Sequence, residues 1–152
     1  MNLVPYLRFV LIIGVLLTIP VEAGEILNRL IAVCTQGQNP SAELVERYKN
    51  GDFPDDHNTH CMMRCVALNF GVYDDLNGIH MHDTWLMFRA GRPAAQEKLF
   101  ADQHHKCIAQ QTKAFPSDDY CGRVFAIYQC YKEEFQTMLK NIRKGAAKAA
   151  RH

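Results

Sequence analysis

Six cysteines and seven histidines are the side chains of this 152-residue sequence whose spacing bears most directly on chemistry. The cysteines stand at Cys34, Cys61, Cys65, Cys107, Cys121 and Cys130. Structural zinc asks for thiolates in close pairs such as Cys-x-x-Cys; none occurs, so no metal site is expected. An even cysteine count in a small domain reads instead as a disulfide framework, provided the compartment is oxidising. The histidines cluster as His57-x-x-His60, His80-x-His82-Asp83 and His104-His105. His57 and His60 are expected in a capped first turn and the other pairs facing solvent, as ordinary surface imidazoles rather than ligands. Several imidazoles that titrate between about pH 5 and 7 also provide the material for a pH switch.

The compartment is read from the other end of the chain. Arg8 precedes an apolar stretch from Phe9 to Ile19, then Pro20 and Val21-Glu22-Ala23. That order is the pattern of a secretory signal peptide, residues 1–23, with cleavage expected before Gly24. About 11 apolar residues are too few to span a bilayer. The product, residues 24–152, is therefore expected to be secreted, without cofactor, and to form one domain with room for one core and a modest cavity rather than two catalytic lobes. A composition of 48% hydrophobic and 22% charged residues excludes a disordered or collagenous chain. The net charge is +1, and no large single-sign field points to nucleic acid as a partner. Charge is uneven all the same. Residues 24–139 carry 11 Lys plus Arg against 15 Asp plus Glu, whereas the basic tail 140–152 holds Lys140, Arg143, Lys144, Lys148 and Arg151 and no acid. Cations at the end of a last helix complement its dipole.

The elements that must position these residues are helical throughout. Residues 24–33 carry Ile26, Leu30 and Val33 or Cys34 at three-and-four spacing. Asn39 as cap and Pro40 in the first turn open a second helix, with Leu44, Val45 and Tyr48 inward and Asn50-Gly51 as its stop. A third runs from about His57 to Phe70 behind the Asp55-Asp56 turn, and residues 74–78 form a polar loop. The fourth carries Met81, Trp85 and Phe88 and stops at Gly91; the fifth runs from Pro93 to about Thr112, with Ala95, Leu99, Cys107 and Ile108 inward and Gln103, His104 and Lys106 outward. Ser117 caps a last long helix whose stripe is Tyr120, Val124, Ile127, Tyr131, Phe135, Met138 and Ile142, widened by Phe125 and Tyr128. No strand competes, so the expected fold is all-α with about six helices.

Helix geometry restricts the disulfides without settling them. Cys61 and Cys65 on one helix emerge one turn apart on the same face, pointing away from the axis and poorly placed to meet. Cys121 and Cys130 on one helix lie roughly 13 Å apart. Excluding both pairs leaves ten of the fifteen pairings that six cysteines allow.

The full spacing, Cys34-x26-Cys61-x3-Cys65-x41-Cys107-x13-Cys121-x8-Cys130, resembles the six-cysteine signature of the insect odorant-binding proteins, the pheromone and general odorant-binding family. Phe53-Pro54-Asp55, Thr59-x-Cys61-Met62-Met63-Arg64-Cys65 and Gly71-Val72-Tyr73-Asp74 are similar to that family too. The resemblance implies a compact helical fold around an internal apolar cavity, with bridges Cys34 to Cys65, Cys61 to Cys121 and Cys107 to Cys130. It implies a carrier that reversibly binds small hydrophobic molecules, such as odorants, pheromones or fatty acids, and moves them through an aqueous secretion without catalysis. A chemosensory receptor or a membrane surface is the further partner class, and a monomer or weak homodimer the expected state. From helical stripes, Met81, Trp85, Phe88, Phe125, Tyr128, Phe135 and Met138 are the ligand-contact candidates, since aromatics supply area and thioethers repack.

Two other readings compete. His82-Asp83 is similar to the His-Asp pair of secreted phospholipases, but cysteines do not flank it and no glycine-rich calcium loop precedes it. A disulfide-stabilised effector that acts at membranes, or sequesters host or microbial molecules, would use the basic segment from Lys140 to Arg151. Its run Ala146-Ala147-Lys148-Ala149-Ala150 has little bulk to insert.

Overall fold

Local caps and one or two buried stripes per helix account for the order of elements. The structure is a computed structural model that describes residues 23–149 and the side chains of 25–144. The signal-peptide reading and the end of the basic tail lie outside those residues. Seven α-helices are described: α1 (Ala23–Thr35), α2 (Ala42–Lys49), α3 (His57–Asn69), α4 (Met81–Phe88), α5 (Glu97–Gln111), α6 (Tyr120–Cys130) and α7 (Lys132–Ala149). Short 3-10 turns, Ala94–Gln96 and Thr112–Ala114, flank α5.

The α2 cap is Ser41, whose side chain accepts from the Leu44 amide at 3.1 Å, rather than Asn39. Asn39 has φ +50°, a left-handed conformation that keeps it out of the helix. Asp56 caps α3 by accepting from Thr59 N at 2.9 Å, and Gly71, at φ +70°, lies just past its end. At α6 the cap is Asp119, not Ser117, because its carboxylate reaches Gly122 N at 2.8 Å. Gly122 has no freedom to be larger, since a Cβ there would collide with the Phe115 ring and the Asp119 carboxylate.

Three expectations are corrected. The long last helix is two helices: Tyr131, with φ −109° and ψ 9°, ends α6, and its amide makes a tight bond back to Tyr128 O at 2.9 Å. No glycine or proline marks this break. Tyr131 is instead held by packing, stacked on His104 at 4.2 Å and 5° and on Phe88 at 5.6 Å and 22°. The expected loop at 74–78 is flanked by two short antiparallel strands, β1 (Tyr73–Asp74) and β2 (Gly78–Ile79), with Tyr73 opposite Ile79 and Asp74 opposite Gly78. Asp74 organises their turn by accepting from Leu76 N and Asn77 N. On α5 the buried stripe is out of phase with the expected one. Leu99 is 60% exposed and Ala95 is exposed, while Phe100 and His104 are buried. A buried His104 is tolerated because Nδ1 donates to Phe100 O at 2.8 Å and Nε2 lies 3.2 Å from Glu134 Oε1.

The disulfides are Cys34–Cys65, Cys61–Cys121 and Cys107–Cys130. Because Cys61 and Cys65 leave α3 one turn apart, that helix is stapled to α6 and to α1. The third bridge ties α5 to the end of α6. Inside this frame Phe53 packs edge-on against Tyr128 and Phe135, each at 5.7 Å, and stacks on Tyr48 at 5.9 Å. The Tyr48 hydroxyl pairs with Thr59 Oγ1 at 3.0 Å in full burial.

Loop-closure entropy ranks the bridges, because a longer closed loop removes more freedom from the unfolded chain. The Cys61–Cys121 bridge spans 60 residues and Cys107–Cys130 spans 23. Replacing both cysteines of the first pair by serine should cost about 4 kcal/mol and of the second about 3.4 kcal/mol. Urea unfolding without reductant checks the order.

Candidate functional site

The space that remains between these elements is apolar. A cavity of about 60 Å³ lies among α3, the hairpin, α4, α6 and the start of α7. Met63 and Val66 contribute from α3, Ile79 from β2, Met87 and Phe88 from α4, Ile127 and Tyr128 from α6, then Tyr131 and Phe135. One water needs roughly 10–15 Å³ on this scale and two or more polar partners, so the size admits several waters while the lining offers them little.

Four lining residues carry hydroxyls, and two of those are hydrogen-bonded. Thr84 Oγ1 donates to His80 O at 2.8 Å, and Tyr131 donates to Met81 Sδ at 3.2 Å. Burial, and then the charge of Asp75, raise the pKa of Tyr73 above its ordinary value. The Tyr128 hydroxyl is buried without a partner. Burial, and then the negative charge of Asp52, push its pKa up to about 12, so it stays protonated. Tyr131 is shifted in the same direction, by burial first and then Glu134. Among the described residues, none that lines the cavity is Lys, Arg or His.

Outside the cavity, α1, α4 and α7 bound an open groove of about 560 Å³ that includes Leu27, Met138, Leu139 and Ile142. Phe70, Val72 and Met87 line both spaces and so form the partition between them. Ile26 and Leu86, 41% and 46% exposed, extend the apolar surface of the groove into solvent.

Of the seven ligand-contact candidates, Phe88, Tyr128 and Phe135 line the cavity, and Met138 lines the groove. The other three face elsewhere. Trp85 is buried against Phe100 at 5.3 Å with the Arg92 guanidinium over its ring at 4.9 Å; Phe125 stacks on His60 at 4.2 Å; Met81 sits behind Tyr131 as the acceptor of its hydroxyl. Sequence reasoning misses Met63, Val66, Ile79, Met87, Ile127 and Tyr131 as lining residues. On α4 Trp85 and Phe88 of the expected stripe are buried and Met81 is half-buried, and Thr84 and Met87, one residue out of phase, reach the cavity beside Phe88. Ile127 and Tyr131 belong to the last-helix stripe that the periodicity exposes. The signal to promote them over Phe125 is absent, because both sides of α6 are buried.

His80 and His82 are occupied structurally. His82 Nδ1 lies 2.7 Å from Glu97 rather than pairing with Asp83, so the His-Asp arrangement of a hydrolase is not assembled. His80 donates from Nδ1 to Gly71 O at 3.0 Å and from Nε2 to Asp74 Oδ2 at 2.7 Å. Both ring nitrogens face acceptors, so this geometry needs the imidazolium. Among the described residues no group of three or more His, Cys, Asp or Glu could hold a metal ion, and no helix is long and apolar enough to cross a membrane.

Comparison with known proteins decides the family. A model of the PBP/GOBP family matches residues 19–134. The chain belongs to that family of odorant-binding proteins. General odorant-binding protein 99b of Drosophila melanogaster is 29% identical over 112 residues, 73% of this chain and 73% of its own. The crystal structure of Odorant-binding protein 22a of Anopheles gambiae aligns with a TM-score of 0.59 at 30% identity, over 71% of this chain and 98% of that one. Another structure of that mosquito protein, with the odorant cyclohexanone bound, aligns with a TM-score of 0.59 at 27% identity, over 78% of this chain and 95% of that one. Family members of this kind are carriers, not enzymes, and the three disulfides and helical fold are theirs.

The hairpin at the cavity wall has its own pH dependence. His80 is raised above its ordinary value near 6.5, first by the bond to Asp74, and Asp74 is depressed well below 3.8, first by the bonds from Asn77 and then by His80. The His80 contribution is full below pH 6.5 and is lost as pH rises through the raised value; that of Asp74 is full above pH 3.8 and is lost as pH falls through the depressed one. Stability from the pair should peak between about pH 4 and 6.5. The urea midpoint should fall between pH 5.5 and 8.5 in the native protein and fall less in His80→Gln, with His82–Glu97 supplying a remainder of the same sign.

Proposed function

We propose that this protein is a secreted carrier that takes up small, mostly apolar molecules reversibly in the cavity bounded by Phe88, Ile127, Tyr128 and Phe135. The observation that supports this reading is an apolar cavity kept inside a chain that buries nineteen hydrophobic residues in one cluster. A tight apolar void has no matching solvent to expel. A ligand that enters gains dispersion contacts with walls that lack partners, so binding is favoured without large desolvation cost.

The magnitude is modest. A ligand that buries ~250 Å² of apolar surface gains about 6 kcal/mol, which corresponds to tens of micromolar. The mosquito relative with bound cyclohexanone supports a volatile of that size. Larger occupants require the cavity to widen toward the groove, and Met63 and Met87 are the unbranched side chains suited to that. Secretion is supported by the apolar run Phe9–Ile19 followed by Val21-Glu22-Ala23, and by three bridges that persist in an oxidising fluid. Delivery to a chemosensory receptor or membrane surface, as a monomer or weak homodimer, completes the reading and rests on the family resemblance.

Native mass spectrometry and displacement of a fluorescent apolar probe test it. Cyclohexanone should displace the probe in the micromolar range. Val66→Phe, which adds bulk to the cavity lining, should weaken displacement at least tenfold while far-UV circular dichroism stays unchanged. Equal displacement from both proteins would place binding elsewhere and sink the reading.

A further inference from the structure

The cavity lining is apolar, yet one of its residues has a polar atom with nothing to bond. Tyr128 is 5% exposed, its ring lines the cavity, and its hydroxyl has no partner. Of the other lining hydroxyls, those of Thr84 and Tyr131 are held by His80 O and Met81 Sδ, and Tyr128 alone has a buried hydroxyl without a partner among the described residues. The carboxylate whose charge Tyr128 feels, Asp52, is bound by Arg47 Nε at 2.7 Å and does not serve it. A buried donor left unmade is costly to the empty protein, and an occupant able to accept from it recovers that cost on binding.

We propose that the Tyr128 hydroxyl is the donor that selects the occupant, so that the site prefers a small neutral molecule with one carbonyl acceptor, a ketone, aldehyde or ester, over a hydrocarbon of the same shape. This rests on the carrier reading above and names its ligand class. The lining presents no free polar surface, so the Tyr128 ring must turn as the ligand settles against it for the acceptor to meet the hydroxyl. Ionised carboxylates are selected against, because no cationic side chain lines the cavity and a bare charge is expensive there. The phenol itself remains protonated throughout the physiological range.

The test compares cyclohexanone with methylenecyclohexane, in which a CH2 replaces the carbonyl oxygen, on the native protein and on Tyr128→Phe. The ratio of ketone to hydrocarbon affinity should be about tenfold higher in the native protein than in Tyr128→Phe, the equivalent of about 1.4 kcal/mol, a comparison in which the cost of desolvating the carbonyl cancels. Tyr128→Phe should keep the hydrocarbon affinity. The carbonyl stretch of the bound ketone should move to lower frequency in the native protein and return in the variant. Retained hydrocarbon binding shows that the variant is folded and its cavity intact. Equal ketone affinity in both proteins, with no spectral difference, overturns the donor role and leaves the carrier reading standing. Loss of both ligands in the variant overturns it too, by making Tyr128 a structural wall residue. Failure of the native protein to bind either compound removes the carrier reading and this inference together.

Discussion

An unfilled apolar cavity works against folding, because every atom on its wall lacks a neighbour on one side. The three disulfides offset that cost by restricting the unfolded chain instead of by improving the packing. Their placement matters as much as their number. Cys61 and Cys65, one turn apart, make α3 the hub that holds α6 on one side and α1 on the other. The cavity lies where Met63 and Val66 of that hub face Ile127 and Tyr128 of α6. Walls held apart covalently need not collapse to be stable.

The far side of the cavity depends on aromatic stacking. Tyr131 lies parallel to His104 and Phe88, and this sandwich fixes the point where α6 gives way to α7. The bend carries Phe135 across the core, where it meets Phe53, Phe88 and Tyr128 edge-on. Glu134 then lies beside His104 and draws the start of α7 to α5. Both nitrogens of His104 face oxygen acceptors, Phe100 O on α5 and Glu134 on α7. One buried ring thus links the start of α7 to the cavity-lining Tyr131 on which it stacks.

The organisation suits a molecule that holds cargo loosely. Apolar contact is nondirectional, so a lining of Met, Val, Ile and Phe sets size and leaves identity open. Direction enters only through hydroxyls, and the fold uses those of Thr84 and Tyr131 within itself. The partition of Phe70, Val72 and Met87 divides the cavity from an apolar groove, placing a flexible thioether between the interior and the surface. Lys140, Arg143 and Lys144 of the basic segment belong to the helix that borders this groove, and Arg143 anchors it by donating to Lys49 O at 2.7 Å.

Much of this was legible in the residues. Cysteine spacing carried the family, periodicity carried the helices, and the exclusion of Cys61–Cys65 and Cys121–Cys130 followed from helix geometry, because these properties are local or depend on counting along the chain. The failures share a cause. Ser41 and Asp119 outcompete Asn39 and Ser117 as caps because a cap is chosen by which side chain reaches the N3 amide, not by type alone. His104 reads as a surface residue until Phe100 O and Glu134 satisfy its ring. Trp85 and Phe125 read as cavity residues and are not, since periodicity separates buried from exposed but cannot tell one buried side of a helix from another. That choice is made by neighbours distant in sequence: which side of α4 meets α5, which side of α6 meets the loop at Phe53, and where the chain leaves space. A void has no sequence signature of its own, because it is defined by what several helices together fail to fill.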